Sequence, residues 1–281
     1  MEIVKAHAFG NDFLLLDDTG LPPQVDRAAL ARAVCDRHRG LGADGLILYN
    51  VQPVSRLPES GPGPATMAAG PGPVTMALLN ADGSYSEVSG NGVRCLAAWM
   101  AEQVSLQPGA AITVVTDAGP KRLELLERAG AALVFRAAMG QPEAVTMARV
   151  EVDGRPIDAV TLRVGNPQCV VLGEVTVERL HSLAAKLAVH SHFPRGTNVE
   201  LASVETPGRV RILIWERGVG PTEASGTGAC AAAVAAMTYG GAARDVEVVA
   251  PGGSQRVEWR GDGLYLTGSA EIIASCRWRK S

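Results

Sequence analysis

The feature that most limits how this chain can fold is a loop that occurs twice. Ser89-Gly90-Asn91-Gly92-Val93-Arg94-Cys95 and Ser225-Gly226-Thr227-Gly228-Ala229-Cys230 both read Ser-Gly-X-Gly-X(-X)-Cys, and each runs into a helix-forming stretch, residues 96–102 and 231–237. Serine is a common helix N-cap, and that role alone needs no ligand. Glycines at such a junction also let backbone N–H groups point outward together at the positive end of the helix dipole. Each copy therefore suits a carboxylate or phosphate, and the duplication points past capping to one anion held by both copies. An internal repeat of roughly 120 to 140 residues is too long for a solenoid and implies two similar domains.

Length and charge narrow the field further. A chain of 281 residues is long for one ordinary core and comfortable as two. Net charge is −3 and the isoelectric point about 6.0, so there is no basic surplus for a nucleic-acid backbone and a small molecule is the expected partner. The N-terminal residues Met1 to Lys5 form no signal segment, and the longest apolar run, 229–237, is too short to cross a bilayer. A cytoplasmic protein with no membrane contact is expected. The cysteines Cys35, Cys95, Cys169, Cys230 and Cys276 are odd in number and lack Cys-x-x-Cys spacing, which argues against a disulfide framework or a zinc site.

Read in order, residues 3–17 form a hairpin turning at Gly10-Asn11, and a helix starts near Asp26 and ends before Gly40. The glycines of 40–45 feed a strand over 46–49, the reverse of the strand-glycine-helix order of a nucleotide fingerprint. Residues 52–76 carry no periodicity and read as a mobile surface insertion. Further strands are expected at 75–79, 111–116, 131–137, 147–152, 159–164 and 210–215, with short ones at 245–250, 255–259, 263–267 and 270–277. Helices are expected at 93–104 and 176–187, and the break at Ala118-Gly119-Pro120 is read as the change of domain. The expected division is 1–118 with 268–281, and 119–267.

Seven ordered motifs then carry a resemblance. Gly10-Asn11-Asp12-Phe13, Gly42-Ala43-Asp44-Gly45, Asn80-Ala81-Asp82-Gly83-Ser84, the first glycine loop, Gly165-Asn166-Pro167, Gly196-Thr197-Asn198-Val199-Glu200, and Glu216-Arg217-Gly218-Val219-Gly220 leading to the second loop together resemble diaminopimelate epimerase over nearly the whole chain. The resemblance implies an α/β (α+β) fold of two pseudo-symmetric domains, each a barrel-like, mostly antiparallel sheet around a central helix, with the active site in the cleft between them. It implies an isomerase of lysine and peptidoglycan precursor synthesis that needs no cofactor and no metal, and a homodimer. In that family one cysteine per domain faces the substrate's α-carbon, one thiolate removing the proton and the opposite thiol returning another.

The positions matching those cysteines are Ser89 and Ser225, and Gln168 stands where the resemblance leads one to expect His after Asn-Pro. A serine hydroxyl is a much weaker acid than a thiol and needs a base of its own. Three explanations compete: a deliberate exchange at both bases, a natural homologue that binds an amino acid without turnover, or a shift to related racemase or dehydratase chemistry. Carried over residue by residue, Ser89 and Ser225 take the acid/base positions, and the N–H groups of Gly90, Asn91, Gly226 and Thr227 hold the α-carboxylate. Arg217 suits a second carboxylate because a guanidinium binds one bidentately, and Glu216 suits an ammonium group. Asn11, Asn80, Asn166 and Asn198 supply amide contacts. As bare sequence, a Glu-Arg pair at a strand end or an Asn in a turn serves structure equally well.

Overall fold

A computed structural model of the chain describes residues 1–51 and 72–279, so most of the insertion expected at 52–76 lies outside the described residues. The chain divides into two compact units, Met1–Ala137 with Ser269–Ser281, and Ala138–Gly268.

The first unit contains β1 (Glu2–Ala8), β2 (Asn11–Asp17), α1 (Arg27–Cys35), β3 (Gly45–Val51), β4 (Val74–Asn80), β5 (Tyr85–Ser86), α2 (Gly90–Gln103), β6 (Ala111–Thr116) and β7 (Gly119–Ala129), and β8 (Ala132–Gly140) carries it to the unit boundary. The second contains β9 (Glu143–Val152), β10 (Arg155–Val164), β11 (Asn166–Leu172), the helical turns α3 (Val177–Arg179) and α4 (Ala185–Ala188), β12 (Asn198–Thr206), β13 (Arg209–Glu216), β14 (Gly220–Thr222), α5 (Gly226–Tyr239), β15 (Asp245–Ala250) and β16 (Gly253–Arg260). A last long strand, β17 (Gly263–Arg277), gives its first part to the second unit and its end to the first.

In the first unit the hairpin β1–β2 turns at Phe9 (φ 55) and Gly10 (φ 82), a two-residue turn with both central residues in the left-handed region, which matches the twist of the flanking strands. Strand pairing then runs β2–β3 parallel, β3–β4 antiparallel, β4–β6 parallel, and β6–β7 and β7–β8 antiparallel. β8 pairs with β17 and β17 with β1, so the ring closes into an eight-stranded barrel. The second unit repeats the order: β11–β12 parallel, β12–β13 antiparallel, β13–β15 parallel and β15–β16 antiparallel. Each unit thus carries a barrel-like sheet of one design around one helix.

The axial helices follow from composition. Val93, Leu96, Ala97 and Met100 of α2, and an almost unbroken run from Ala229 to Ala236 in α5, are buried all round. A helix apolar on every side has to be enclosed, and alanine lets the strands close around it. The strand faces alternate accordingly. In the second unit Val170, Ala202 and Ile214 join α5, while Cys169, Val199 and Leu201 point outward to Leu180, Leu183 and Leu187 of the helical crossover.

Three expectations differ from the structure. The units part at Ala137/Ala138 rather than at 118, because β7 folds back on β6 and β8 on β7, which keeps both in the first sheet. The helix expected over 176–187 is interrupted by a π-helical stretch, Leu180–Ala184, between α3 and α4. Two strands, β11 and β12, lie where loop motifs alone are expected.

Candidate active site

Each glycine loop is the N-terminus of an axial helix. Ser89 caps α2 with an extended backbone, and its Oγ accepts the Gly92 N–H at 3.1 Å. Ser225 caps α5 in the same way, its Oγ accepting the Gly228 N–H at 3.2 Å. The first intrahelical bonds run from Val93 N to Ser89 O and from Ala229 N to Ser225 O. The first two N–H groups of any helix have no intrahelical acceptor. In α2 these positions are Gly90 and Asn91, and in α5 Gly226 and Thr227, so each unit presents paired donors at a positive helix end.

In the first unit the expected residues converge. The Asn91 amide donates to Asn11 Oδ1 at 3.1 Å, Arg94 donates to Asn91 Oδ1, and Asn11 donates to Asp44 Oδ2 at 2.7 Å. Asp44 also holds Arg37, which reaches Asp12 at 2.8 Å, and Asp12 takes Lys5 at 3.0 Å. Burial raises the pKa of Asp12, but hydrogen bonds from Arg37 and Lys5 outweigh it and keep the carboxyl below its ordinary value. The network anchors the β1–β2 turn to the α2 loop. Asn80 bonds within its own turn, its amide donating to Ser84 Oγ at 2.9 Å, and Ala81 N ties that turn to Asp44 O at 2.9 Å.

In the second unit Asn198 Oδ1 accepts the Arg217 N–H at 2.9 Å, which fixes the backbone at the end of β13. The Arg217 side chain is exposed, donates to Arg195 O at 3.0 Å, and lies against Gly196, where an added Cβ would meet Arg217 Cδ at 2.9 Å. Glu216 Oε1 accepts the Thr222 hydroxyl at 2.9 Å. Asn166 Oδ1 accepts the Gln168 amide at 2.5 Å, and Gln168 stands opposite Asn198 in the β11–β12 register. The cysteines beside the loops do not substitute for the serines as bases: Cys95 and Cys230 are fully buried, and burial pushes the Cys95 thiol up to about 12.

One residue of this neighbourhood has no role in the sequence reading. Glu200 is fully buried on β12, and neither of its carboxylate oxygens has a hydrogen-bond partner among the described residues. Its signal in the sequence is an acid inside the apolar run Val199-Glu200-Leu201-Ala202, visible only once that run is known to be a strand. Among the described residues no group of three or more His, Cys, Asp or Glu is placed to hold a metal ion, and no helix is long and apolar enough to span a membrane.

A diaminopimelate epimerase family model matches residues 3–145 and 160–273. The diaminopimelate epimerase of Desulforudis audaxviator is 37% identical over 297 aligned residues, covering 99% of each chain. This chain belongs to the diaminopimelate epimerase family. That of Desulfitobacterium hafniense is 38% identical over 295 residues, 97% of this chain and 96% of its own. Among solved structures, a predicted epimerase of Pseudomonas aeruginosa superposes with a TM-score of 0.71 at 16% identity, covering 100% and 99% of the two chains. A hydroxyproline epimerase from Agrobacterium vitis gives 0.66 at 14%, covering 98% and 90%. At that distance these structures speak to the fold alone. Membership of the diaminopimelate epimerase family makes the fold and the isomerase class of this chain those of its relatives.

Proposed function

We propose that this protein epimerises the α-carbon of diaminopimelate without a cofactor, by two-base chemistry with Ser89 and Ser225 in the acid and base positions. One observation carries the reading: in a chain of this family, both units build the same serine-capped helix N-terminus with paired backbone donors. Those donors, at Gly90, Asn91, Gly226 and Thr227, suit an α-carboxylate and the charge that grows on it as the α-proton leaves, as in an oxyanion hole. Arg217 supplies the fork for the distal carboxylate and Glu216 the counter-charge for an ammonium group. Asn11 and Asn91 serve by locking the first loop in place, and Asn80, Asn166 and Asn198 are assigned amide contacts to the substrate. The product would feed lysine and peptidoglycan precursors, with a homodimer as the working form.

Incubation with LL- or meso-diaminopimelate in D2O tests this. Deuterium at the α-carbon, without added cofactor, supports an epimerase. A second reading, an amino-acid-binding protein without turnover, is favoured by the serines themselves, since an unassisted hydroxyl is a poor base at neutral pH. Binding without label supports that reading. Exchange that appears only in the Ser89→Cys, Ser225→Cys double variant would show a competent scaffold lacking its bases.

A further inference from the structure

Gly92 and Gly228 hold the same place in the repeated loop, yet they face different neighbours. A Cβ on Gly92 would meet Ile47 Cδ1 at 3.0 Å, whereas a Cβ on Gly228 would meet Glu200 Oε1 at 2.7 Å. The strand registers agree. Ile47 pairs with Leu15 across the parallel β2–β3 step, and Glu200 with Val170 across the matching β11–β12 step, each the third residue of its strand. The fold therefore accepts an isoleucine at this position and does so in its first half. In its second half it buries a carboxyl group whose two oxygens have no hydrogen-bond partner among the described residues, a costly exchange unless the group serves the loop above it.

What lies above it is Ser225. The point that a Gly228 Cβ would occupy is 3.3 Å from Ser225 Oγ, so the hydroxyl and the Glu200 carboxyl flank one spot. Ser225 Oγ accepts the Gly228 N–H and still has its own hydrogen to donate. We propose that Glu200 is the proton partner of Ser225: its carboxylate takes the serine's hydroxyl hydrogen when Oγ takes a proton from the substrate's α-carbon. In that step the Cα–H bond breaks and its electron pair stays on carbon. The α-proton goes to Ser225 Oγ, the former hydroxyl proton goes to a Glu200 oxygen, and the single negative charge passes from carboxylate to substrate. Glu200 acts through Ser225 and is a positioning residue. Ser89 has Ile47 at the matching place and no such partner, so the two hydroxyls are unequal.

The environment fits the role. Burial, and then the charge of Glu216, raise the Glu200 pKa well above its ordinary value, which makes its carboxylate a stronger base. The other titratable groups on β12 and the elements around it are Glu205 on β12 itself, Cys169 on β11, the buried Cys230 and the exposed Tyr239 on α5, and Arg209, Arg211 and Glu216 on β13. His181 and Lys186 of the crossover belong to the opposite face of β12.

The proton-transfer step rests on the epimerase reading, while the nearness of Glu200 to Ser225 does not, and the experiment separates them. With side-chain carboxyls labelled with carbon-13, NMR titration should show one glutamate titrating far above the rest, its signal lost in Glu200→Gln. In Ser225→Ala its midpoint should rise by about one unit, because the ionised carboxylate loses the one neighbouring hydroxyl able to turn and donate to its charged form, and Ser89→Ala should leave it in place. A Glu200 midpoint in the ordinary range, or one that ignores Ser225→Ala, overturns the pairing. In the α-proton exchange assay, the rate should rise with pH through the Glu200 midpoint. Glu200→Gln should abolish that rise and lower the saturated rate at least tenfold with half-saturation unchanged, and Ser225→Cys should make exchange independent of Glu200. An undiminished rate in Glu200→Gln, or in Glu200→Ile, which copies the first repeat, overturns the relay. If no form exchanges, the epimerase reading and the relay fall together, and the titration still decides the pair.

Discussion

Replacing Glu200 with isoleucine should make the protein more stable, and more so at higher pH. The substitution removes a fully buried carboxyl whose oxygens have no hydrogen-bond partner among the described residues, a burden of about 1–3 kcal/mol. It adds an apolar side chain whose full burial contributes about 1.5–3 kcal/mol, and Ile47 shows that the enclosed helix tolerates that shape at the matching place. Some misfit is expected on first substitution, of about 1–2 kcal/mol, leaving a net gain of about 0.5–5 kcal/mol. The pH term has a definite sign. Burial raises the folded-state pKa of Glu200 above 4.5, so the native chain holds a proton that the unfolded chain has released. Its contribution is complete below the unfolded value and is lost as pH rises to the folded one, at about 1.4 kcal/mol per pH unit. Isoleucine has no such slope. Urea denaturation followed by circular dichroism at about pH 5 and about pH 8 should show the variant's advantage widening at the higher pH. A variant less stable than the parent at neutral pH, or an advantage constant across that range, would refute the reasoning.

The caps and the first-unit network give two further expectations. Ser89→Ala and Ser225→Ala each remove the acceptor of one helix-terminal N–H, and each should cost about 1 kcal/mol in thermal or urea melts; a neutral effect at both would mean the serines are not caps. Asp12→Asn should cost about 1–3 kcal/mol at neutral pH, a modest figure for a buried ion pair because Arg37 is 55% exposed. Because the Asp12 pKa is lowered in the fold, its contribution is present above the ordinary carboxylate value and is lost as pH falls through the lowered one. The parent should therefore lose stability toward acid more steeply than Asp12→Asn. Parallel acid limbs would contradict this.

Much of this arrangement is legible in the amino-acid sequence. Ser-Gly-X-Gly before an apolar run announces a capped helix, and finding it twice announces two related halves, because capping and burial of an all-apolar helix are local or nearly local requirements. The strands β11 and β12 are not legible there. Asn166-Pro167 reads as a turn, and Pro167 is tolerated only because it stands near the start of the strand. The run Asn198 to Ala202 mixes polar and apolar residues without clean alternation, since one of its inward positions is the acid Glu200. The expected domain change at 118 falls too early because a glycine-proline break looks the same whether it ends a domain or turns a hairpin within one.

The repeat, the two enclosed helices, their serine caps, and the group of side chains suited to a doubly charged amino acid are all written in the order of the residues. They can be read there because each depends on residues adjacent in the chain or at helical spacing. That Asn11, Asn91 and Asp44 form one network, and that Glu200 comes to the turn capped by Ser225, is settled by the three-dimensional fold. Those contacts join residues far apart in sequence, through a parallel strand crossover whose register is set by the packing of the whole sheet around its helix.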